Sequence, residues 1–394
     1  MERRGHLEAI WRAGVEACLP ERVLPAHLPE PPPGRTILLA LGKAAVPMAG
    51  AAEARWPGPL SGLAVAPHGS IGSLDRIEVK HADHPIPDSA SFLAAGRLLA
   101  LAGGAKEEDL VLVLLSGGAS SLACLPGEGL GLQAKAELGG ALLRSGATIG
   151  EINCVRRHLS RFKGGRLALA AAPARLVTLA ISDVLGDSPE DIGSGPTAGD
   201  PTTLGRARAI LERYAIEAPG CGWSETPSNV PGAYRIVARG SDALAAAGAE
   251  AERLGYDVRR LQCEGEARDV GRGHAAMALS APAGTAFISG GELTVTVRGG
   301  GIRGGGIGGP NQEYALAATL ALAGRPQVAG LAADTDGIDG CSHAAGAFFE
   351  GGDPAGAEAA LDRNDSTTWF ARRGGLFVTG PTGTNVNDLR IILT

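Results

Sequence analysis

The chain has 394 residues, of which 44% are apolar, with 36 Lys and Arg against 42 Asp and Glu for a net charge of −6. That length accommodates two domains of roughly 100–200 residues, and the apolar content excludes an intrinsically disordered chain. The acidic balance, with no basic run or aromatic-basic interleaving, excludes an electrostatic nucleic-acid binder. Six scattered cysteines without a C-x-x-C pair fit a reduced cytosol better than a disulfide framework or a zinc site. No apolar stretch reaches the ~18 residues of a membrane span, so a cytoplasmic protein is expected.

In chain order, "MERRGHLEAIWRAGVEACLPERV" lacks an uninterrupted apolar segment and has amphipathic spacing, which predicts a first helix rather than a signal peptide. "TILLALG" (36–42) predicts a strand and 43–55 an Ala-rich helix; "GLAVAP" (62–67) and "DRIEVKHA" (75–82) predict further strands. Residues 88–102 predict a helix with an Asp N-cap. Residues 110–115 predict a strand buried on both faces, 131–171 a long helical region, and "RLVTLAIS" (175–182) the next strand. This βαβα rhythm with apolar strands indicates a doubly wound parallel sheet. The Pro/Gly/Ser-rich stretch 215–232 marks a boundary, giving expected domains 1–232 and 233–394. Beyond it come "YRIVARG", a helix at 242–254, "YDVRRLQ", a helix at 267–280 and "TAFISGG"; the strict alternation of "LTVTVRG" (293–299) predicts a half-exposed strand in a mixed sheet.

Ligands of open α/β sheets bind at the carboxyl ends of strands, and six predicted strand ends carry unusual residues. They are "LALGKAA" with Lys43, "LLSGGASS" (Ser116 to Ser121), "LAISDVLGDS" with Asp183 and Asp187, "FISGGE" with Glu292, "LAADTDGIDG" with Asp334, Asp336 and Asp339, and "LFVTGPTGTN". Glycine admits a close approach of backbone N–H groups to an anion, which makes the turn at Gly117, Gly118 and Ser120 a candidate phosphate or carboxylate site. G-x-x-x-x-G-K-[ST], a strand–G-x-G-x-x-G–helix unit and G-x-S-x-G are all absent, which removes Walker, dinucleotide and hydrolase-elbow readings. Anion cradles, several acids and few placed cations suit phosphoryl transfer, where positioning and charge neutralisation dominate. "KHADHPIPD" contains His81, Asp83 and His84; lacking a third His or Cys at zinc spacing, it reads as a Pro-rich turn closing over a cleft rather than a metal site. Arg156, Arg157, His158 and Lys163 cluster on a helical segment that either binds an anion or forms a solvated basic face.

The ordered set "LGKAA", "ADHPIPD", "LLSGGASS", "VRRHLSRFKGGRLA", "ISDVLGDSPEDIGSGPTAGDPTT", "SGGE", "NQE", "DTDGIDG" and "GPTGTNVNDL" resembles the glycerate 2-kinase family over nearly the whole chain. Its members are also labelled hydroxypyruvate reductase and carry a MOFRL-type C-terminal domain. The resemblance implies a Rossmann-like N-terminal domain, a smaller mixed-sheet α/β C-terminal domain and an active site in the cleft between them. It implies transfer of phosphate from ATP, with Mg²⁺, to the 2-hydroxyl of D-glycerate, with no nucleic-acid or membrane partner, in a monomer or homodimer. By motif, Lys43, Asp183, Glu292 and Asp336 match polar catalytic positions. Asp183, Asp187 and Asp336 are the expected metal ligands. Ser116, Gly117, Gly118, Ser120, Asn311, Thr382, Gly383 and Asn385 are expected to hold the nucleotide and its phosphates; Arg156, His158 and Lys163 are expected to hold the substrate. One departure is Pro310, which stands in "GGPNQE" where the family has arginine. Proline offers neither charge nor N–H donor, so Arg298 or Arg303 is the candidate replacement. An NAD(P)-dependent hydroxypyruvate reductase or a catalytically weakened relative are the alternatives.

Overall fold

The computed structural model describes residues 2–70, 72–261, 263–298 and 306–394. Helix α1 (Glu2–Ala17) opens the chain, which divides into two compact units: Pro20–Ala238, and the residues through Leu19 together with Arg239–Thr394.

The Pro20–Ala238 unit contains β1 (Thr36–Leu41), α2 (Ala45–Glu53), β2 (Leu60–Pro67), β3 (Ile77–Ala82), α3 (Ser89–Gly103), β4 (Leu110–Leu115) and α4 (Ala119–Leu122). It continues with α5 (Leu132–Arg144), α6 (Ile149–His158), α7 (Arg166–Ala171), β5 (Arg175–Ile181) and β6 (Ala233–Ala238). The strands pair throughout in parallel, in the order β3-β2-β1-β4-β5-β6. Every residue of β1 and β4 is buried, as the unbroken apolar runs require for central strands covered on both faces. Ile37, Leu39, Leu41, Val111, Val113 and Leu115 pack with Leu98 and Ala102 of α3 and Leu167 and Ala171 of α7. Because all strands run the same way, the loops after β1, β3, β4 and β5 leave at one edge. Chain order reverses between β1 and β4, the switch point where doubly wound sheets open a crevice.

The second unit holds α8 (Gly240–Arg253), β7 (Asp257–Arg260), α9 (Ala267–Leu279), β8 (Thr285–Gly290), α10 (Pro310–Ala321) and β9 (Ala329–Asp334). It ends with β10 (Gly346–Glu350), β11 (Leu376–Phe377) and β12 (Asp388–Leu393). Sheet order is β11-β10-β9-β12-β8-β7; β7 and β8 are parallel and the other pairs antiparallel. Period-two alternation sorts the faces. Ile288, Leu331, Ile391 and Leu393 meet α1 and α8, whereas Phe287, Ala332 and Ile392 meet α9 and α10. Gly271 lets α9 approach α10, since a Cβ there would lie 2.4 Å from the Tyr314 carbonyl oxygen.

The grouping differs from a division at 232/233 in two ways. Leu7, Ile10, Trp11 and Val15 of α1 complete the core of the second unit, because the amphipathic stripe finds its apolar partner there. Ala233–Ala238 extends the first sheet beside β5 rather than opening the second. The 131–171 region is three helices separated by loops, not one. Leu293 to Arg298 form no strand; Thr294 makes an isolated bridge with Glu266. Among the described residues no helix is long and apolar enough to cross a membrane.

Candidate functional site

At the β1–β4 switch point two loops are locked together through their backbones. The Lys43 amide donates to the Gly117 carbonyl (2.8 Å), and the Ala44 amide donates to Ser116 Oγ (3.0 Å). Ser116 is fully buried and donates in turn to the Leu41 carbonyl (3.3 Å). Glycine is required on both sides of this lock. Gly42 has φ 120°, and a Cβ there would lie 2.2 Å from Ser116 Oγ; Gly118 has φ 80°. A Cβ on Gly118 would lie 3.1 Å from Cδ2 and Nε2 of His84 and 3.3 Å from Cγ of Lys43. The bare backbone after β4 is therefore where the Lys43 stem and the His84 ring converge.

Asp183 and Asp187, both half-buried, follow β5 on a loop at the same sheet edge. Asp187 adopts φ 55°, and its amide donates to the Val184 carbonyl (3.1 Å). The end of this loop reaches the β4 turn through side chains. Ser120 Oγ and Ser194 Oγ are 3.0 Å apart, Ser194 donates to Asn153 Oδ1 (3.3 Å), and Asn153 Nδ2 donates to Asp191 (3.1 Å). Asn153 sits in no motif, and Ser194, although inside "ISDVLGDSPEDIGSGPTAGDPTT", is not singled out there; only the fold joins them.

Residues expected to hold substrate mostly face inward. Lys163, 1% exposed, donates from Nζ to the carbonyls of Ser120 (2.5 Å) and Ala123 (3.0 Å), the end of α4. Burial, with Lys135 and Arg156 nearby, pushes its pKa down to about 7. Lys135 clasps the Leu159 carbonyl (2.6 Å) in the same way, and burial lowers it to about 8. His158 spends both ring nitrogens: Nδ1 on the Cys154 carbonyl (2.9 Å) and Nε2 on Glu225 (3.1 Å) and Thr226 (3.1 Å). Burial opposes its charge, but those hydrogen bonds and the Asp200 carboxylate raise the imidazole pKa. Arg157 pairs with Asp200 (2.9 Å) and Asp191 (3.1 Å). The segment is thus an internal scaffold beneath the turn, not a solvated basic face, and His158 and Lys163 do not reach out to a ligand. Arg156 is half-buried.

In the second unit Asp336 is buried in a turn: it accepts the Ile338 amide (2.8 Å), and its own amide donates to Asp334 (3.0 Å). Thr382 donates its amide to the Asp336 carbonyl (3.1 Å) and its hydroxyl to the Thr335 carbonyl (2.5 Å). Gly383 has φ 90°, and Asn385, buried, accepts the Asn387 amide (3.3 Å). Glu292 is exposed just beyond β8.

Asn311 is also buried, but inside a polar network. Its Nδ2 donates to Asp388 (2.6 Å) and Asp339 (3.3 Å), and Asp339 further accepts the amides of Asn311 (3.0 Å) and Gln312 (2.9 Å). Burial and neighbouring Asp388 push Asp339 up to about 7 despite those donors. Gln312 accepts from Thr367 (2.7 Å), and Glu313 pairs with buried Arg268 (2.8 Å). "NQE" therefore anchors the start of α10, and the structure encloses Asn311 rather than offering it to a nucleotide. Pro310 occupies the first turn of α10 after the Gly309 N-cap, where its missing N–H would have had no helical partner. Arg298 is half-exposed and 4.0 Å from Asp362; Arg303 lies outside the described residues.

Among the described residues one cluster has three metal-capable ligands within mutual reach: His68, Asp83 and Asp88, two of them exposed. Asp88 already caps α3 by accepting from Ser91 (2.9 Å). His81 stacks on His68, with centroids 5.9 Å apart, rather than joining a metal set with Asp83 and His84.

Residues 6–220 match the family model described as Domain of unknown function (DUF4147), and residues 285–388 match the MOFRL family. The chain is 45% identical over 98% of its length to a relative from Agrobacterium vitis with a provisional hydroxypyruvate reductase name, covering 93% of that protein. It is 40% identical over 97% of its length to the D-glycerate 2-kinase of Thermotoga maritima, covering 96% of that protein. A crystal structure of a Thermotoga maritima glycerate kinase matches with a TM-score of 0.86 and 38% identity, each chain covered completely.

Proposed function

Because the chain belongs to the glycerate 2-kinase family, in which DUF4147 and MOFRL domains are joined, we propose that it transfers the γ-phosphoryl group of ATP to the 2-hydroxyl of D-glycerate. The products are 2-phosphoglycerate and ADP. The observation that carries this function is the backbone lock between Lys43 and Gly117 at the switch point of the first sheet. It holds a lysine stem against a turn with no side chain in the way, the arrangement that an incoming phosphoryl group needs.

Catalysis of phosphoryl transfer is mainly positioning and charge neutralisation. In the proposed mechanism the Lys43 ammonium offsets negative charge on the transferring phosphoryl oxygens, while the Ser116–Ser120 turn bounds the space they occupy. Asp183 accepts the proton of the 2-hydroxyl as the new P–O bond forms. Mg²⁺ takes hard oxygen ligands and is usually held by one or two carboxylates plus substrate phosphates. Asp183 and Asp187, two carboxylates on one loop, fit it, and the ion would neutralise phosphate charge there. Glu292 and Asp336 are carried over by motif, and D336N and E292Q test each of them separately.

The protein incubated with D-glycerate, ATP and Mg²⁺, with products resolved by phosphorus NMR, is expected to give the 2-phosphoglycerate signal. Absence of phosphorylated product refutes the kinase function. NADH consumed with hydroxypyruvate would support the reductase name instead.

A further inference from the structure

From the same juxtaposition, and resting on the kinase function above, we infer that His84 is a catalytic residue: its imidazole donates a hydrogen bond to an oxygen of the transferring phosphoryl group beside Lys43. Three observations converge on this placement. The Cδ2–Nε2 edge of the ring faces Gly118 on the side where the Lys43 stem lies, each within van der Waals range of the Cβ position that Gly118 leaves empty. A side chain at 118 would therefore separate two nitrogen-bearing groups that the glycine brings together. His84 is exposed, so the ring meets solvent and an arriving ligand rather than serving as core packing.

The loop carrying His84 is also tethered at both ends. It leaves β3, which runs parallel to β1 and β4 in the same sheet, so it emerges at the edge that carries Lys43 and Gly118. At its far end Asp88 caps α3 and accepts the Asp83 amide (3.4 Å). The Ser91 carbonyl then accepts the Cys124 amide just beyond α4 (3.2 Å). The turn that presents the imidazole is thus braced along its backbone. A placed N–H aimed where charge develops is a large contributor to transition-state stabilisation, and removing one such donor lowers turnover by about 10²–10³.

The test is a pair of substitutions with a direct readout of contact. H84A is expected to lower kcat by about 10²–10³ while KM for ATP and for D-glycerate stays within about threefold, with an unchanged thermal midpoint because the residue is exposed. H84Q, whose amide still donates, is expected to recover at least about tenfold of that loss. In the wild type, the imidazole resonance that is absent from H84Q shifts when ATP and D-glycerate are added. A kcat within about threefold of wild type in H84A, no recovery in H84Q, or an unmoved resonance overturns the assignment. Wild-type protein that forms no product yet shows the shifted resonance refutes the kinase function and leaves the phosphate contact of His84 standing.

Discussion

Replacing Lys163 with methionine separates two effects that act on one buried nitrogen. The amine donates to the carbonyls of Ser120 and Ala123; methionine fills similar space and donates to neither. Each buried carbonyl left without its donor costs about 1–3 kcal/mol. Against this, the wild type must bury an ammonium near Lys135 and Arg156, and its pKa falls from the ordinary 10.5 to about 7. Between those two values the unfolded chain binds more protons than the native one, so wild-type stability rises with pH across the window. At 1.36 kcal/mol per unit, the increase from pH 7 to pH 9 is about 2 kcal/mol for this one group. Lys135 titrates in both proteins and largely cancels in the difference. Urea unfolding of wild type and K163M at pH 7 and pH 9 should therefore show the destabilisation by K163M growing by about 2 kcal/mol at the higher pH. A difference that stays constant within about 0.5 kcal/mol, or shrinks, refutes a low-dielectric setting for Lys163.

K43M is expected to lower kcat by about 10²–10³, measured by coupled ADP release, because the proposed site loses its charge at the transferring phosphoryl group. G118A meets both a left-handed φ of 80° and the His84 ring; a thermal melt should report about 1 kcal/mol of lost stability, and turnover should fall as the ring is displaced. D339A strips the start of α10 of an acceptor serving Asn311 and Gln312, so unfolding should report at least about 3 kcal/mol of destabilisation. In the wild type the Asp339 carboxyl, raised to about 7, makes a contribution that falls as pH rises from about 4 to 7, because the native state then holds the extra proton. Denaturation of wild type and D339N across that range should therefore show the wild type losing ground to the variant toward pH 7.

The local part of this protein was legible in its residues. Unbroken apolar runs such as Leu110–Leu115 announce strands covered on both faces, and their alternation with helices announces a parallel sheet, because burial and hydrogen bonding act over a few neighbouring positions. Glycines at 42, 117 and 118 likewise marked a place where backbone comes close to something else. What no local pattern contains is the choice of partner. Helix α1 presents one apolar stripe, and only the assembled second sheet decides that Ile288, Leu331 and Ile391 cover it. "VRRHLSRFK" shows four Arg and Lys side chains and one His, and no burial; the fold turns His158 and Lys163 inward, where internal carbonyls and hydroxyls receive them. "NQE" carries three polar residues in a row, and packing alone makes them the buried anchor of α10. His84 meets Gly118 across 34 positions of chain. Residue chemistry is local, whereas the partner of a residue is set by which strands pair, and that pairing is a property of the whole sheet.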